Sequence, residues 1–204
     1  MAEREYLISP WIRIWHWTNA ALILVLGTTG ISLHFADPNL PFVEFSLAVR
    51  VHNIAGVTLA AAYAFFVIAN IVTGNWWQFV PKPPGIVPRL VAQARWYAFG
   101  IFRGDPHPHS PTKDEHFNVL QALTYWSVMY LLMPLIILSG LIYLYPQFAP
   151  DKMFGFDGLL PIAMLHYLSA AAVLLFMLSH IYLGTTGKTV GAMFKMMFTG
   201  WHEH

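Results

Sequence analysis

Two histidines stand in one apolar stretch, residues 164–184, which reads MLHYLSAAAVLLFMLSHIYLG. His166 and His180 are 14 residues apart. On an α-helix this spacing brings the second ring back to within roughly 40° of the first and places it roughly 21 Å further along the axis. Ionisable groups inside lipid are costly and usually functional, and a neutral imidazole is above all a metal or haem ligand. Taken alone, each histidine is better explained as a core residue hydrogen-bonded to a neighbouring helix, so the rest of the chain decides between the two interpretations.

The composition indicates an integral membrane protein, because 57% of the 204 residues are hydrophobic and only 10% are charged. The sequence contains no cysteine, which excludes disulfides, thiolate zinc sites and cysteine-ligated iron–sulfur clusters in this chain. Electron transfer therefore needs another cofactor or another subunit. The first residues lack the pattern of a cleaved signal peptide, so we expect the first apolar run to be retained as a helix.

Four uncharged stretches are each long enough for a transmembrane helix. Trimmed at turn residues, the predicted spans are 15–34, 51–73, 120–145 and 160–184. We therefore predict an all-α integral membrane protein, a four-transmembrane-helix bundle that forms one membrane domain over residues 1–204. Pro134 removes one hydrogen bond inside the third span and is expected to kink it. Gly27, Gly30 and Gly140 allow close backbone approach, which either ordinary packing or a flat cofactor could use.

The basic residues are unevenly distributed over the predicted loops. With four crossings, the amino terminus, the loop after the second span and the carboxyl terminus share one side. That side carries nine of them: Arg4, Arg13, Lys82, Arg89, Arg95, Arg103, Lys113, Lys188 and Lys195. The other side carries only Arg50 and Lys152. Because cytoplasmic segments are enriched in lysine and arginine, we predict cytoplasmic termini and outer loops over 35–50 and 146–159.

The predicted cytoplasmic loop, residues 74–117, contains the segment RLVAQARWYAFGIFRG. Its arginines alternate with aromatic residues, a pattern typical of a helix lying in the membrane interface. A partly buried connector explains the segment equally well. His107 and His109 follow in DPHPHSP, where a solvated loop is a better explanation than a metal site because the segment is proline-rich and lacks further nearby ligands.

The histidines of the first two spans match those of the fourth in depth. His16 lies at the cytoplasmic start of the first span and His52 at the outer start of the second. The predicted pairs are therefore His16 with His180 on the inner side and His52 with His166 on the outer side. Two bis-imidazole sites at two depths suit two stacked haem groups in a four-helix bundle. Copper or zinc fits less well, because neither depth has a convincing third ligand.

Several neighbouring residues are further candidates for the same sites. His34, near the outer end of the first span, is a rival to His52 as the outer ligand. Arg13, Arg50 and Lys188 flank the proposed ligands and are candidate partners for haem propionates. Basic residues are also common at membrane boundaries, which explains these three equally simply.

The segments RIWHWTN, RVHNIAG, FNVLQ, MLHYL, SHIYLG and TGWHEH resemble the membrane-embedded b-type cytochrome subunits of bacterial respiratory complexes. These are the cytochrome b subunits of nickel–iron hydrogenases, respiratory formate dehydrogenases and thiosulfate reductase-type enzymes. The resemblance covers essentially the whole chain and implies location in the bacterial inner membrane. In the formate dehydrogenase and thiosulfate reductase branches it implies two haems b on four histidines, which map to His16, His52, His166 and His180.

The resemblance also implies a quinone site beside the inner haem. The formate dehydrogenase pattern FNxGQK reads FNVLQA here, so Asn118 and Gln121 match, whereas Leu120 and Ala122 depart from it. Asn118 is then a candidate hydrogen-bond donor to a quinone carbonyl. The alternative is that Asn118 caps the third membrane helix, as asparagine commonly does.

The function that these features favour is a dihaem membrane anchor that relays electrons between the quinone pool and a periplasmic redox subunit. The partner would carry iron–sulfur, molybdenum, nickel–iron or multihaem centres. Besides this subunit we expect contact with membrane lipid and none with nucleic acid. One alternative is a stand-alone cytochrome b that exchanges electrons between quinone and a diffusible oxidant such as superoxide. Another, much less favoured, is a transporter with a histidine proton relay.

Overall fold

The computed structural model describes residues 4–36, 42–80, 82, 85–109, 115, 117–187 and 189–203. The long helices are α1 (Pro10–His34), α2 (Phe45–Val72) and α6 (Leu159–Gly184), together with α4 (Val119–Ser127) and α5 (Met133–Leu144), which a π turn joins. The shorter helices are α3 (Ile86–Arg95) and α7 (Ala192–Thr199). The strands are β1 (Arg4–Tyr6), β2 (Lys152–Met153), β3 (Phe156–Asp157) and β4 (Trp201–Glu203).

Within the described residues, three helices are long and apolar enough to cross a membrane: Phe45–Val72, Val119–Leu144 and Leu159–Gly184. Only 17–22% of the most apolar window in each is buried inside the protein. Their apolar side chains therefore face outward, as expected of helices surrounded by lipid.

The first predicted span lies inside α1, which at 25 residues is about 37 Å long and thus long enough to cross a bilayer. Its composition is less apolar than that of the other three, because it includes His16, Asn19 and the pair Thr28 and Thr29. The protein is an integral membrane helical bundle, as its sequence predicts.

Pro134 has a clear effect on the third predicted span. The helix is interrupted by a π turn over Val128–Leu132, directly before the first turn of α5, which contains the proline. Proline lacks the N–H that would donate a hydrogen bond in a regular helix. In the wider π turn the backbone hydrogen bonds join residues five apart instead of four, which accommodates the missing donor. The expected irregularity at Pro134 is therefore a π turn.

The segment after the second span forms a helix, as one of the two interpretations of the predicted cytoplasmic loop requires. α3 continues through a π turn at Trp96–Gly100 into a last helical turn at Ile101–Arg103. Val87, Val91 and Phe102 are exposed on it. Exposed apolar side chains on a basic helix are typical of a membrane interface.

The two ends of the chain pair with each other. β1 and β4 form an antiparallel ribbon in which Arg4 is opposite Glu203 and Tyr6 is opposite Trp201. The backbone carbonyl of Gly200 accepts from the amides of Leu7 (2.9 Å) and Ile8 (3.3 Å). This pairing agrees with an even number of membrane crossings, which brings both ends of the chain to one side.

The chain divides into two compact units. The first comprises Met1–Arg13, Ile68–Leu131 and Ser179–His204, and the second comprises Ile14–Val67 and Leu132–Leu178. His180 belongs to the first unit, whereas His16, His52 and His166 belong to the second. In the core of the second unit, Trp15 stacks on Phe66 with a ring-centroid distance of 4.2 Å and donates from Nε1 to the carbonyl of Ala62 at 3.0 Å.

Candidate functional site

The second unit brings the rings of His52 and His166 together. Their centroids are 6.4 Å apart and their planes are 78° from parallel. A metal–imidazole bond is about 2 Å long and the ring centroid lies about 1.1 Å behind the bonding nitrogen, so two rings on opposite sides of one metal have centroids roughly 6 Å apart. The distance within this His52–His166 pair therefore fits one iron held between two axial imidazoles.

A hydroxyl group holds Nδ1 of His52. Thr29 Oγ1 lies 2.9 Å from this nitrogen. Thr29 is buried, and its own proton is donated to the carbonyl of Val25 at 2.8 Å. The hydroxyl oxygen must then accept, so the proton between the two side chains belongs to Nδ1 of His52. In this tautomer the lone pair is on Nε2, the nitrogen that would bind a metal.

His166 has the same arrangement on different residues. Its Nδ1 lies 3.1 Å from the carbonyl oxygen of Ile136 and 3.2 Å from Ser139 Oγ. Ser139 is itself buried and donates to the carbonyl of Leu135 at 2.6 Å. A carbonyl oxygen can only accept, so Nδ1 of His166 carries the proton and Nε2 the lone pair. Histidines that bind metals typically donate their other N–H in this way.

Glycines give both imidazoles room. A Cβ added to Gly140 would lie 2.9 Å from Cε1 of His166, and one added to Gly30 would lie 3.4 Å from Cε1 of His52. A Cβ on Gly27 would instead meet Leu174 Cδ2 at 2.8 Å. Sequence alone left packing and cofactor space as equal explanations for the three glycines. In the structure, Gly27 serves helix packing, while Gly30 and Gly140 lie against the candidate ligands.

The rival outer histidine lies elsewhere. His34 is exposed and stacks on Tyr167 at a centroid distance of 4.5 Å with an interplanar angle of 20°. The ring that the structure places beside His166 is that of His52.

Replacing Thr29 with valine is expected to weaken haem binding by about 10–100-fold, the usual effect of losing a residue that orients a metal ligand. Valine has nearly the same shape but removes the Thr29 hydroxyl as an acceptor for Nδ1 of His52. Haem affinity can be measured by titrating the apoprotein with haem. Thr28→Val is the matched control, since Thr28 is exposed on the same helix. Equal affinities of the two variants would contradict the role of the Thr29 hydroxyl.

His180 has an aromatic surrounding in the first unit. Its Nδ1 lies 3.2 Å from the hydroxyl of Tyr125. The ring of Phe117 packs edge-on against Tyr125 at 4.7 Å, and Phe79 lies 5.6 Å from Phe117. Sequence reasoning missed Tyr125. The signal was its position seven residues after Asn118, which places both residues on one face of a helix.

Asn118 is buried and caps α4. Its side-chain oxygen accepts from the amide of Gln121 at 2.9 Å, and the Gln121 side chain accepts from the amide of Asn118 at 3.2 Å, which completes a capping box. The Asn118 amide group also donates to the hydroxyl of Tyr97 at 3.3 Å. The capping role is therefore present in the structure, and the quinone role of Asn118 and Gln121 stays a prediction.

His16 lies in the early part of α1, where its ring meets Trp17 edge-on at 5.1 Å. One turn later, the side-chain oxygen of Asn19 is buried and has no hydrogen-bond partner among the described atoms. Buried polar atoms rarely lack hydrogen-bond partners. The unpartnered side-chain oxygen of Asn19, one turn from the candidate ligand His16, therefore fits a site where a bound group supplies a hydrogen-bond donor. Sequence reasoning did not single out Asn19. The pairing of His16 with His180 stays a prediction.

The three candidate propionate partners have different surroundings. Arg13 Nη1 donates to the backbone carbonyl of Phe198 in the last turn of α7. Arg50 is exposed and donates from Nε to the carbonyl of Ser46 at 3.3 Å. Lys188 lies outside the described residues. Their role toward propionates stays a prediction.

The donor set also distinguishes haem from a simple metal ion. Within the residues that the structure describes, no group of three or more histidine, cysteine, aspartate or glutamate side chains could hold a metal ion. A haem brings four nitrogens of its own and needs only two axial ligands, which a pair of oriented imidazoles supplies. The His52–His166 pair therefore fits haem.

Lipid-facing helices around paired, oriented imidazoles define a membrane-embedded b-type cytochrome. The chain belongs to the prokaryotic cytochrome b561 family, whose model matches residues 7–200. It is also 39% identical over 202 residues to the protein named "Putative cytochrome YdhU" of Escherichia coli K12, covering 99% of this chain and 76% of that protein. The resemblance predicted from the histidine motifs is confirmed, and with it haem b binding and electron transport in a membrane.

Proposed function

We propose that this cytochrome b carries two haems b and relays electrons between the quinone pool and a redox subunit on the periplasmic side of the bacterial inner membrane. The observation that carries the proposal is the His52–His166 pair, in which both Nδ1 atoms are committed to protein acceptors. His180 lies fourteen residues after His166 on the same helix and anchors a second site.

In this proposal His52 and His166 hold the outer haem, and His16 and His180 hold the inner one. Each bound haem supplies reversible one-electron transfer at its iron. The hydroxyl of Thr29 fixes the tautomer of His52, and the carbonyl of Ile136 fixes that of His166. The hydroxyl of Tyr125 contacts Nδ1 of His180. The chain thereby provides ligands whose orientation is set before haem binds, which lowers the cost of binding.

The quinone end of the relay is assigned to the Asn118 region. Asn118 is 2% exposed and lies in the same unit as His180. Its amide N–H group points at Tyr97, whose pKa is raised by burial so that the phenol keeps its proton at neutral pH. The amide and the phenol are two neutral hydrogen-bond donors, which is what the carbonyl oxygens of a quinone require.

The periplasmic end is assigned from the sequence. Because the chain has no cysteine, the substrate chemistry of a respiratory complex would reside in a partner with its own centres. The excess of basic residues on the side of the termini supports a position of the His52–His166 pair toward the outer face. The partner would therefore exchange electrons with the outer haem.

Replacing Asn118 with serine separates its two roles. Serine is as good an N-cap as asparagine, but it lacks the amide donor. If Asn118 binds quinone, Asn118→Ser should slow haem reduction by a quinol such as duroquinol by about tenfold, which is roughly one lost hydrogen bond to the reacting group. Anaerobic stopped-flow absorbance in the haem region measures the rate.

Asn118→Leu is the companion variant, because it removes both the cap and the donor. A serine variant as fast as the wild type beside a slow leucine variant would leave Asn118 as a helix cap only. A wild-type protein whose haem is not reduced by quinol would overturn the proposed function itself.

A further inference from the structure

The interfacial segment, residues 86–103, turns its polar side toward the rest of the protein. Gln93 is only 2% exposed. The hydroxyl of Tyr97 accepts from the amide of Asn118 at 3.3 Å, and Arg89 forms an ion pair within the same unit. A helix on the surface of a water-soluble protein has the opposite arrangement, with its apolar side chains turned inward. The segment is therefore not built to face water.

The opposite side of the interfacial segment is apolar. We call it the outward stripe, and it consists of Val87, Val91, Phe99 and Phe102, which are 59–75% exposed. These residues alternate with the inward ones at intervals of three to four residues, the spacing of one helix face. An exposed apolar patch of this kind marks a surface that something covers.

The position of the segment in the chain indicates that lipid covers the outward stripe. The helix α3 packs against α4, which is the first part of the candidate membrane span Val119–Leu144. The preceding span ends at Val72 and is followed by the exposed Trp76 and Trp77. Tryptophans are typical of the boundary between membrane and water. The outward stripe thus lies beside the end of a membrane helix, at the level of the bilayer surface.

Two arginines accompany the outward stripe. Arg95 falls between Val91 and Phe99 in the sequence, and Arg103 directly follows Phe102. Both arginines are exposed, and within the part of the chain that the structure describes neither guanidinium group has a hydrogen-bond or ion-pair partner. An arginine can lay its methylene groups along an apolar surface while its charged end reaches the polar layer. There the guanidinium group binds phosphate with two parallel hydrogen bonds.

We propose that the interfacial segment binds acidic phospholipids of the surrounding bilayer. The outward stripe lies among the acyl chains, and the guanidinium groups of Arg95 and Arg103 bind the phosphates. Two arginines without an acidic partner favour a lipid with a net negative charge over a zwitterionic one, in which an ammonium group offsets the phosphate. This site goes beyond the proposed function and does not depend on it, because neither haem nor quinone takes part.

The test is native mass spectrometry of the haem-loaded chain, mixed in detergent with equal amounts of phosphatidylglycerol and phosphatidylcholine. The wild type is expected to retain phosphatidylglycerol in excess. Arg95→Gln and Arg103→Gln should each reduce that excess by about fivefold, the usual contribution of one arginine near an anionic lipid surface. Lys152→Gln is the matched control, because Lys152 is an exposed basic residue outside the segment, and it should match the wild type. The haem spectrum should be the same in all variants.

Three outcomes overturn the proposal. The first is an excess of phosphatidylglycerol that neither arginine variant reduces. The second is an equal reduction in Lys152→Gln, since this would show an effect of total charge. The third is a dimer that binds no excess of phosphatidylglycerol and that Phe102→Ser dissociates, because a second copy of the chain would then cover the outward stripe. The proposed function stands or falls separately, on whether a quinol reduces the haem.

Discussion

Replacing His166 with leucine is expected to remove one haem from the chain and leave the other in place. The ring of His166 lies opposite that of His52, with the centroids 6.4 Å apart, and leucine offers no lone pair to iron. The second haem is assigned to His16 and His180, which the substitution does not touch. The haem-to-protein ratio of the purified variant should fall from about two to about one, as expected for one lost bis-histidine site.

His34→Leu is the control for this experiment, because His34 lies near the same end of α1 but stacks on Tyr167. It should keep both haems. Loss of a haem from the His34 variant, together with two haems in the His166 variant, would mean that the outer ligands are wrongly assigned. The same preparation also tests the count of two haems in the wild type.

Replacing Gly140 with alanine is expected to disrupt the outer haem as severely as a ligand substitution, although no ligand is changed. The added methyl group would lie 2.9 Å from Cε1 of His166, closer than two carbons can approach. The ring cannot move aside cheaply because its Nδ1 is bound to Ile136 and Ser139. We expect the haem content to fall by about half, as it does when a ligand of that haem is replaced.

Gly27→Ala provides a control with almost the same overlap. Its methyl group would lie 2.8 Å from Leu174 Cδ2, the end of a flexible side chain that can change rotamer. This variant should keep both haems and lose only some stability. If Gly27→Ala and Gly140→Ala lose haem equally, the damage comes from helix packing, and the imidazole cradle at Gly140 has no special role.

The helices could be predicted from the sequence because lipid imposes long uncharged runs, but their ends could not. α2 begins at Phe45, six residues before the predicted start, because Glu44 caps it. The Glu44 carboxylate accepts from the amides of Ser46 and Leu47, and these bonds lower its pKa. The hydropathy pattern placed the start of the span after Arg50, because a charged residue ends an apolar run even where the backbone continues as a helix.

In the candidate site, the closeness of the His52 and His166 rings was predictable, and the binding of haem iron by the four histidines stays a prediction. Helical spacing and depth were enough to pair His52 with His166, because both depend only on the positions of residues along the helices. The residues that contact their Nδ1 atoms were not predictable. Thr29 and Ser139 are ordinary residues of membrane helices, and which of them meets an imidazole depends on how each helix is rotated about its axis.

The π turn at Val128–Leu132 separates two lengths of helix that serve different imidazoles. α4 presents Tyr125 to His180, and α5 presents Ile136 and Ser139 to His166. In a regular helix, the directions of all side chains about the axis are fixed relative to one another. Inserting or deleting one residue in one half would therefore rotate the side chains of the other half about the helix axis. A π turn absorbs such changes locally. The surroundings of the two imidazoles can therefore diverge separately in the course of evolution, so that a substitution beside His180 need not disturb the contacts of His166.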